Sequence, residues 1–254
     1  TEEFLSQSVE MEDYIQTVIG ICDTVKSKKR SGKKIDICFD EWGVWEIPGE
    51  DVAGSVASRD WETAPAFSEQ IYTMEDSLLF ASMLMAMIKN SGRVKAACQS
   101  LLTNISAAIM TEPGAEVWVQ PIFYPFSYMS KYGRGTLLES VLRAPSYLSG
   151  KGREIPYLDQ VVIHNTEMDE LVLYLVNRRD EAAEVHVDMQ GFCAEHAAEH
   201  TVLFHEDIKA DNRSDHEKVK PHTAVVTGTQ KTRIDCKLKP YSWNMIRVRV
   251  KSNE

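Results

Sequence analysis

The sequence predicts two unlike parts, an α/β part followed by an all-β part. The first is expected to form a partial (β/α)8 TIM barrel made of its last strands and helices, and the second an antiparallel, jelly-roll-like β-sandwich. Helical and strand patterns alternate in the first half, short strands recur about every ten residues in the second, and 254 residues suffice for two moderate cores. We place the barrel portion at residues 1–135 and the sandwich at residues 136–254.

The first helix is predicted between Glu10 and Lys28, because apolar residues recur there at intervals of three and four. These residues are Met11, Tyr14, Ile15, Val18, Ile19, Cys22 and Val25. The basic run KSKKRSGKK closes this helix. Cations suit a helix C-terminus and a solvated loop, so the run does not predict a nucleic-acid site.

A short β-favouring strand, Lys34 to Phe39, follows and ends directly on Asp40 and Glu41. A carboxylate at the C-terminal end of a buried parallel strand is where a (β/α) barrel keeps its catalytic groups. Trp42 and Trp45 come next. Indole rings commonly line sugar-binding subsites and pack against the sugar ring. The alternative is that the two carboxylates only cap the strand and face water.

After Trp45 the sequence predicts a long loop, a helix from Met74 to Asn90, and a strand from Arg93 to Leu102 that returns to the same sheet. Trp61 in that loop is a candidate for lining a cleft, with an ordinary surface anchor as the alternative. The resulting order of helix, strand, helix and strand predicts a parallel sheet with covering helices.

The second half contains short strand candidates separated by polar turns. They span Tyr157 to His164, Leu171 to Asn177, Glu184 to Met189, Thr201 to His205, Thr223 to Thr227, Thr232 to Leu238 and Trp243 to Val250. In the last of these, apolar and basic residues alternate as on a half-solvated antiparallel strand. This spacing is typical of a β-sandwich.

Composition narrows the classes of function. The formal net charge of −10 argues against a nucleic-acid surface, whereas a neutral sugar is indifferent to it. No apolar run reaches the roughly 18 residues of a membrane span, and the acidic start TEEFLSQSVEMEDY is unlike a signal peptide. Five scattered cysteines without a metal knuckle predict reduced core residues of a cytoplasmic protein. They are Cys22, Cys38, Cys98, Cys193 and Cys236.

Several stretches taken together resemble one family. FDEWGVW resembles the FDEWNVW nucleophile segment of the α-L-arabinofuranosidases of glycoside hydrolase family fifty-one. The resemblance continues, in chain order, through RVKAAC with Asn104, IMTEPG, Trp118, IFYPF and YGRG. LYLVNRRDEAAEVHV, HTVL and PYSWNMIRV are similar to the C-terminal sandwich of that family. The resemblance runs nearly end to end and corresponds to the C-terminal half of such an enzyme.

Carried over by position, the resemblance implies that Glu41 is the nucleophile of a retaining mechanism and that Trp45 contacts the sugar. It implies exo-acting release of terminal arabinofuranosyl groups from plant polysaccharide fragments, with arabinose-containing oligosaccharides bound and no cofactor. Leu101 stands where the family's substrate-binding Gln aligns. Gln99 lies two residues earlier on the same face of an extended strand, so Gln99 is a candidate substrate-binding residue.

Other departures leave the sugar open. Gly43 replaces the family's Asn, and Glu46 stands where Tyr is common. A related glycosidase acting on a xyloside or glucan is therefore an alternative, as is a non-catalytic carbohydrate-binding or structural role.

The family's acid/base glutamate belongs to a GNE segment, and these 254 residues contain no such segment. A lone nucleophile cannot perform double displacement on a poor leaving group. Because the chain also begins with Thr, we expect a fragment or one half of a split enzyme, whose missing N-terminal half of the barrel comes from the same or a second chain. The family further implies a homo-oligomer.

One rival chemistry involves His196 and His200, which are four residues apart in AEHAAEH. On a helix they would share a face and could bind a metal ion. A third ligand is not evident, so a surface turn is the competing interpretation.

Overall fold

The computed structural model describes residues 1–45 and 69–252, so the candidate Trp61 lies outside the described residues. Its helices in these ranges are α1 (Glu2–Lys28), α2 (Met74–Lys89) and α3 (Phe123–Tyr132). The prediction of a first helix is confirmed, with a start earlier than expected. The sequence pattern did not predict α3, which is rich in aromatic residues and contains Pro125; proline is tolerated there because it lies in the first turn.

Helix α2 begins at Met74, as predicted, because the residues before it form a capping box. The Thr73 backbone N–H donates to Asp76 Oδ2 at 2.7 Å, and the Asp76 N–H donates to Thr73 Oγ1 at 3.4 Å. These reciprocal bonds satisfy donors that a helix start leaves unpaired.

Two parallel strands flank α2 in the chain, β1 (Ile37–Trp42) and β2 (Val94–Gln99). This strand–helix–strand unit is the one that the sequence pattern predicted. The predicted continuation of β2 to Leu102 is wrong, because the chain bends at Ser100 and starts a separate strand, β3 (Leu101–Thr103). Strand β3 pairs with β4 (Ala107–Met110), which pairs with β5 (Trp118–Val119).

The remaining strands build mainly antiparallel sheets. Their bounds are β6 (Thr136–Leu138), β7 (Ser146–Leu148), β8 (Glu154–Pro156), β9 (Leu158–Asn165), β10 (Glu170–Asn177), β11 (Ala183–Asp188), β12 (Phe192–Ala194), β13 (Glu199–Leu203), β14 (Pro221–Ala224), β15 (Val226–Gln230), β16 (Arg233–Leu238) and β17 (Ser242–Ser252). One sheet has the order β14-β13-β17-β10-β9-β6, with β12 also on β17, and another has the order β11-β16-β15.

Strand β10 shows how the layers stack. Alternate side chains point to opposite faces of a strand. Val172, Tyr174 and Val176 accordingly join the core that the helices cover, whereas Leu171 and Leu173 join the core that contains β11 and β16 residues. The large sheet therefore lies between a helical layer and a smaller sheet.

The predicted alternation of buried apolar and more exposed basic residues in β17 is confirmed for residues 246–251, whereas the first part of the strand is buried throughout. Trp243 and Met245 are buried on the helical side, Ile246 and Val248 are buried on the other side, and only the later residues alternate with exposed positions. A strand is buried along its length when other strands pair with both of its edges and a layer packs on each of its faces. Arg247 is accommodated because it forms a bidentate ion pair with a carboxylate of the neighbouring strand.

The cysteine prediction is only half right. None of the five cysteines, all of which lie in the described residues, forms a disulfide, but only Cys193 and Cys236 are buried. Cys22 is half-buried, and Cys38 on β1 and Cys98 on β2 are exposed. The apolar sequence around Cys38 and Cys98 predicted that both are buried, but the outward faces of β1 and β2 are exposed to solvent in this chain.

A buried ion network joins α1 to α2 and to the large sheet. Arg178 Nη2 donates to Asp159 Oδ2 at 2.7 Å and to Ser8 Oγ at 2.9 Å, and Lys89 Nζ donates to Asp159 Oδ1 at 2.6 Å. Burial alone would raise the pKa of the Asp159 carboxyl, but the charges of Arg178 and Lys89 hold that pKa below its usual value. Asp159 is therefore a buried anion that depends on its two cationic partners.

Mixed α/β structure with mostly β content is confirmed. The barrel remnant, the jelly-roll sandwich and the division at residue 135 stay predictions. The helical core itself includes side chains from both sides of that division, among them Phe80 and Trp243.

Candidate active site

Glu41 lies near the end of β1, where the pairing with β2 becomes irregular. The register between the two parallel strands shifts between Phe39 and Trp42, and Glu41 falls inside that shift. Irregularities of this kind re-aim a side chain and are common beside active sites. Asp40 and Glu41 are both exposed at this irregular end of the strand.

The two tryptophans that follow have different roles. Trp42 is 6% exposed and stacks on Phe80 with ring centroids 4.7 Å apart, so it belongs to the core. The expectation that both indoles wall a sugar subsite is thus wrong for Trp42. Trp45 is 55% exposed and has a ring surface open to a ligand.

Gln99 is the last residue of β2 and lies opposite Trp42 in the strand pairing. It is half-buried, and its Nε2 donates to the Ser106 carbonyl at 3.3 Å. The structure therefore brings Gln99 and Glu41 to the same end of adjacent strands. Leu101, the aligned alternative, is 47% exposed on β3 and belongs to a different sheet, so the two positions do not share one strand face.

A buried polar pair supports the backbone between Glu41 and Trp45. Tyr72, which is 2% exposed, donates its hydroxyl to the Val44 carbonyl at 2.9 Å. The Tyr72 N–H donates to Gln120 Oε1 at 2.8 Å, and Gln120 is fully buried. Sequence reasoning missed both residues, because a single Tyr and a single Gln in apolar surroundings carry no spacing signal.

The rival metal site does not form. His196 lies in a loop and His200 lies in strand β13, so the helix that would align them is absent from this stretch. His200 is 2% exposed and its Nε2 bonds Asn244 Oδ1 at 2.9 Å. Within residues 1–45 and 69–252, no group of three or more His, Cys, Asp or Glu is arranged to hold a metal ion. Nor does the described part of the chain contain a helix long and apolar enough to cross a membrane.

Comparison with known proteins connects this geometry to a family. The model for the α-L-arabinofuranosidase C-terminal domain matches residues 40–242, a range that includes Glu41, Trp45 and Gln99. An intracellular exo-α-(1→5)-L-arabinofuranosidase of Halalkalibacterium halodurans is 42% identical over 249 residues, covering 96% of this chain and 48% of the relative. A Bacillus subtilis protein of the same description is 37% identical, covering 98% of this chain and 49% of its own. The chain thus spans about half the length of these curated relatives.

Solved structures agree. The family 51 α-L-arabinofuranosidase AbfB of Bifidobacterium longum superposes with a TM-score of 0.85 at 26% identity, covering 97% of this chain and 48% of its own. An arabinofuranosidase of the same family from Xanthomonas axonopodis has the same fold, with a TM-score of 0.78 at 22% identity, covering 96% of this chain and 46% of its own. The resemblance to the C-terminal half of these enzymes is confirmed, and the chain belongs to the α-L-arabinofuranosidase C-terminal domain family.

Proposed function

We propose that the polypeptide containing these residues is a retaining, exo-acting α-L-arabinofuranosidase in which Glu41 is the nucleophile. The observation that carries the proposal is the position of Glu41. Its exposed carboxylate lies at the C-terminal end of a parallel strand, inside the range that the family model matches. In a (β/α) barrel, that end of the strands carries the catalytic groups.

The architecture supports the same proposal. Residues 1–135 would form the C-terminal portion of the catalytic barrel, and residues 136–254 a jelly-roll-like sandwich. The parallel β1–α2–β2 unit supports the first assignment, and two facing antiparallel sheets with a shared apolar core support the second. The remaining barrel strands would come from the N-terminal half of the barrel, in the same or a second chain.

The chemistry requires a second carboxyl group roughly 5 Å from Glu41. In the first step the ionised Glu41 attacks the anomeric carbon, while the second group protonates the departing glycosidic oxygen. In the second step that group removes a proton from water, and the water oxygen displaces Glu41 from the sugar. We propose that this acid/base residue lies outside the 254 residues, on an earlier barrel strand.

The substrate follows from the relatives and from the site. The names of the two bacterial relatives specify exo-action on α-(1→5)-linked L-arabinofuranosyl groups. Here Trp45 would pack on the sugar ring and Gln99 would hydrogen-bond to a hydroxyl group, so that arabinose-containing oligosaccharides bind without a cofactor. We further propose a cytoplasmic homo-oligomer; both relatives are named intracellular, and cysteines outside disulfides suit a reducing compartment.

Substitution of Glu41 tests the mechanism. In the full-length protein, Glu41→Ala should lower kcat on an aryl α-L-arabinofuranoside by about 10⁴-fold or more, as for other nucleophile deletions. Added azide should restore turnover of this activated substrate and yield the β-configured glycosyl azide, since a small anion can attack from the side that the carboxylate left. The matched control is Asp40→Asn, which removes the neighbouring exposed carboxylate and should keep most of the activity if Glu41 is the nucleophile.

An active Glu41→Ala enzyme would exclude Glu41 as the nucleophile. If Asp40→Asn abolished turnover and Glu41→Ala did not, the nucleophile would be the neighbouring carboxylate instead. A folded full-length wild-type protein without glycosidase activity would leave only the carbohydrate-binding or structural role.

A further inference from the structure

The segment that connects β13 to β14, residues 204–220, leaves the large sheet and lies against the start of α2. The Met74 N–H donates to the Ala210 carbonyl at 2.9 Å, and the Glu75 N–H donates to the Ile208 carbonyl at 2.8 Å. Together with a β-bridge one residue earlier, these bonds pair the connecting segment with the chain that follows the candidate site. The segment therefore belongs to the surroundings of the site, although it comes from the C-terminal part of the chain.

Asn212 anchors this segment from inside. Its side chain is fully buried; Nδ2 donates to the carbonyls of Val119 and Val219, both at 3.0 Å, and Oδ1 accepts the Val219 N–H at 2.8 Å. Beside it, the His216 ring stacks on Trp118 with centroids 5.0 Å apart and an angle of 10° between the planes. The segment is thus joined to strand β5 by a buried amide and by a ring contact.

Gln120 follows strand β5 directly and links it by hydrogen bonds to the chain around Tyr72. Besides accepting the Tyr72 N–H, Gln120 donates from Nε2 to the Gln70 carbonyl at 2.9 Å and to the Ala107 carbonyl at 2.7 Å. Tyr72 then bonds the Val44 carbonyl. Hydrogen bonds, joined by the covalent links within Val119–Gln120 and within Tyr72, therefore connect this segment to the peptide unit just before Trp45.

We propose that the connecting segment fixes the sugar-contacting end of the active site, with Asn212, Gln120 and Tyr72 as positioning residues for Val44 and Trp45. The inference rests on the proposed function, because it assigns these residues to the placement of a sugar-binding indole. By this inference, the C-terminal part of the chain contributes to substrate binding without touching the substrate.

The kinetic consequence is specific. Trp45 would touch the sugar ring equally in the ground state and the transition state, so misplacing it removes uniform binding and raises KM while kcat changes little. Tyr72→Phe removes the one hydroxyl that holds Val44 and keeps the buried ring. In the full-length enzyme, it should raise KM for an aryl arabinofuranoside about 3- to 10-fold, the range for one lost hydrogen bond, and change kcat less than about 2-fold.

A double-mutant cycle separates positioning from general destabilisation. If Tyr72 acts through Trp45, Tyr72→Phe should cause no further rise in KM in a Trp45→Ala background. Asn212→Ala should raise KM in the same way, whereas Lys218→Ala, at an exposed position of the same segment, should leave KM unchanged. Thermal melting of each variant shows whether it is folded; if Asn212→Ala does not fold, the Tyr72→Phe cycle decides.

An unchanged KM in Tyr72→Phe, or an equal rise with and without Trp45, would overturn the inference. A folded Asn212→Ala enzyme with a normal KM would show that the connecting segment does not help to position Trp45. Because these results are read only against an active wild-type enzyme, they are distinct from failure of the proposed function, which would appear as absence of wild-type activity.

Discussion

The buried imidazole of His200 makes the stability of the fold depend on pH. Burial lowers the pKa of His200, and the hydrogen bond to Asn244 opposes this only in part. The unfolded chain has a His pKa near 6.5. Folding therefore favours the neutral ring, and the associated stability is complete above about pH 6.5 and is lost as the pH falls from there through the lower folded-state pKa.

Replacing His200 with Gln should remove this pH dependence, because Gln does not titrate and retains a donor for Asn244. Urea unfolding at pH 7.5 and pH 5 should show a smaller acid-induced loss of unfolding free energy in His200→Gln than in the wild type. Each unit of pKa difference corresponds to about 1.4 kcal/mol. His222→Gln, at an exposed position of β14, is the matched control and should behave as the wild type. The same acid-induced loss in all three proteins would contradict this account.

At this scale the sequence predicted the residues that carry a motif and missed those that act by burial. Glu41 became a candidate because it ends a strand pattern, and Trp45 because of the family resemblance; their roles stay predictions. Tyr72, Gln120 and Asn212 were not, because their importance comes from hydrogen bonds between distant parts of the chain.

Among the elements, helix α1 is linked to the large sheet through Ser8, which accepts a hydrogen bond from Arg178, and Arg178 pairs with the buried carboxylate of Asp159. Removing one partner of a buried ion pair leaves an uncompensated charge, which costs about 3–5 kcal/mol. Asp159→Asn should lower the unfolding free energy by about that amount, since Arg178 and Lys89 lose their shared anion. Chemical denaturation measures the loss.

The matched control for Asp159 is Asp13, whose ion pair with Arg153 is exposed. Asp13→Asn should cost less than about 1 kcal/mol, as surface ion pairs do. Equal effects of the two substitutions would show that burial of the network contributes nothing to the attachment of α1.

Element boundaries were predictable where local chemistry decided them. The Thr73 cap fixed the start of α2. The glycine that ends the YGRG stretch has a steric reason: Gly135 has a φ of +136°, and a Cβ there would lie 2.1 Å from the His164 carbonyl oxygen. The break at Ser100 was not predictable, because β2 and β3 both have strand-like sequences. Only their partners, β1 and β4, separate them.

For the whole molecule, alternation and spacing predicted the change from α/β to mostly β structure. They did not predict that helices of the first part cover one face of the large sheet. That packing gives β10 two buried faces, so its sequence lacks the polar alternation that marks a surface strand.

The last prediction concerns how stability is distributed in the 254-residue chain. Strand β10 pairs with β9 and β17 on its two edges and is buried along its length. Strand β1 pairs only with β2 among the described strands, and the nearby side chains of Ile35 and Leu102 are 51% and 75% exposed. A strand with one neighbour and an exposed outer side opens locally without unfolding the rest.

Hydrogen exchange should therefore be fast for the amides of residues 35–39 and slow for those of residues 171–177 and 243–250. We expect protection to differ roughly 100-fold, since local opening requires much less free energy than global unfolding. In the full-length polypeptide the β1 amides should become slow, because further barrel strands would cover them, while the β10 amides should change little. Equally strong protection of β1 and β10 in the 254-residue chain would mean that the parallel pair is complete as it stands, and the proposal that other barrel strands complete it would fail.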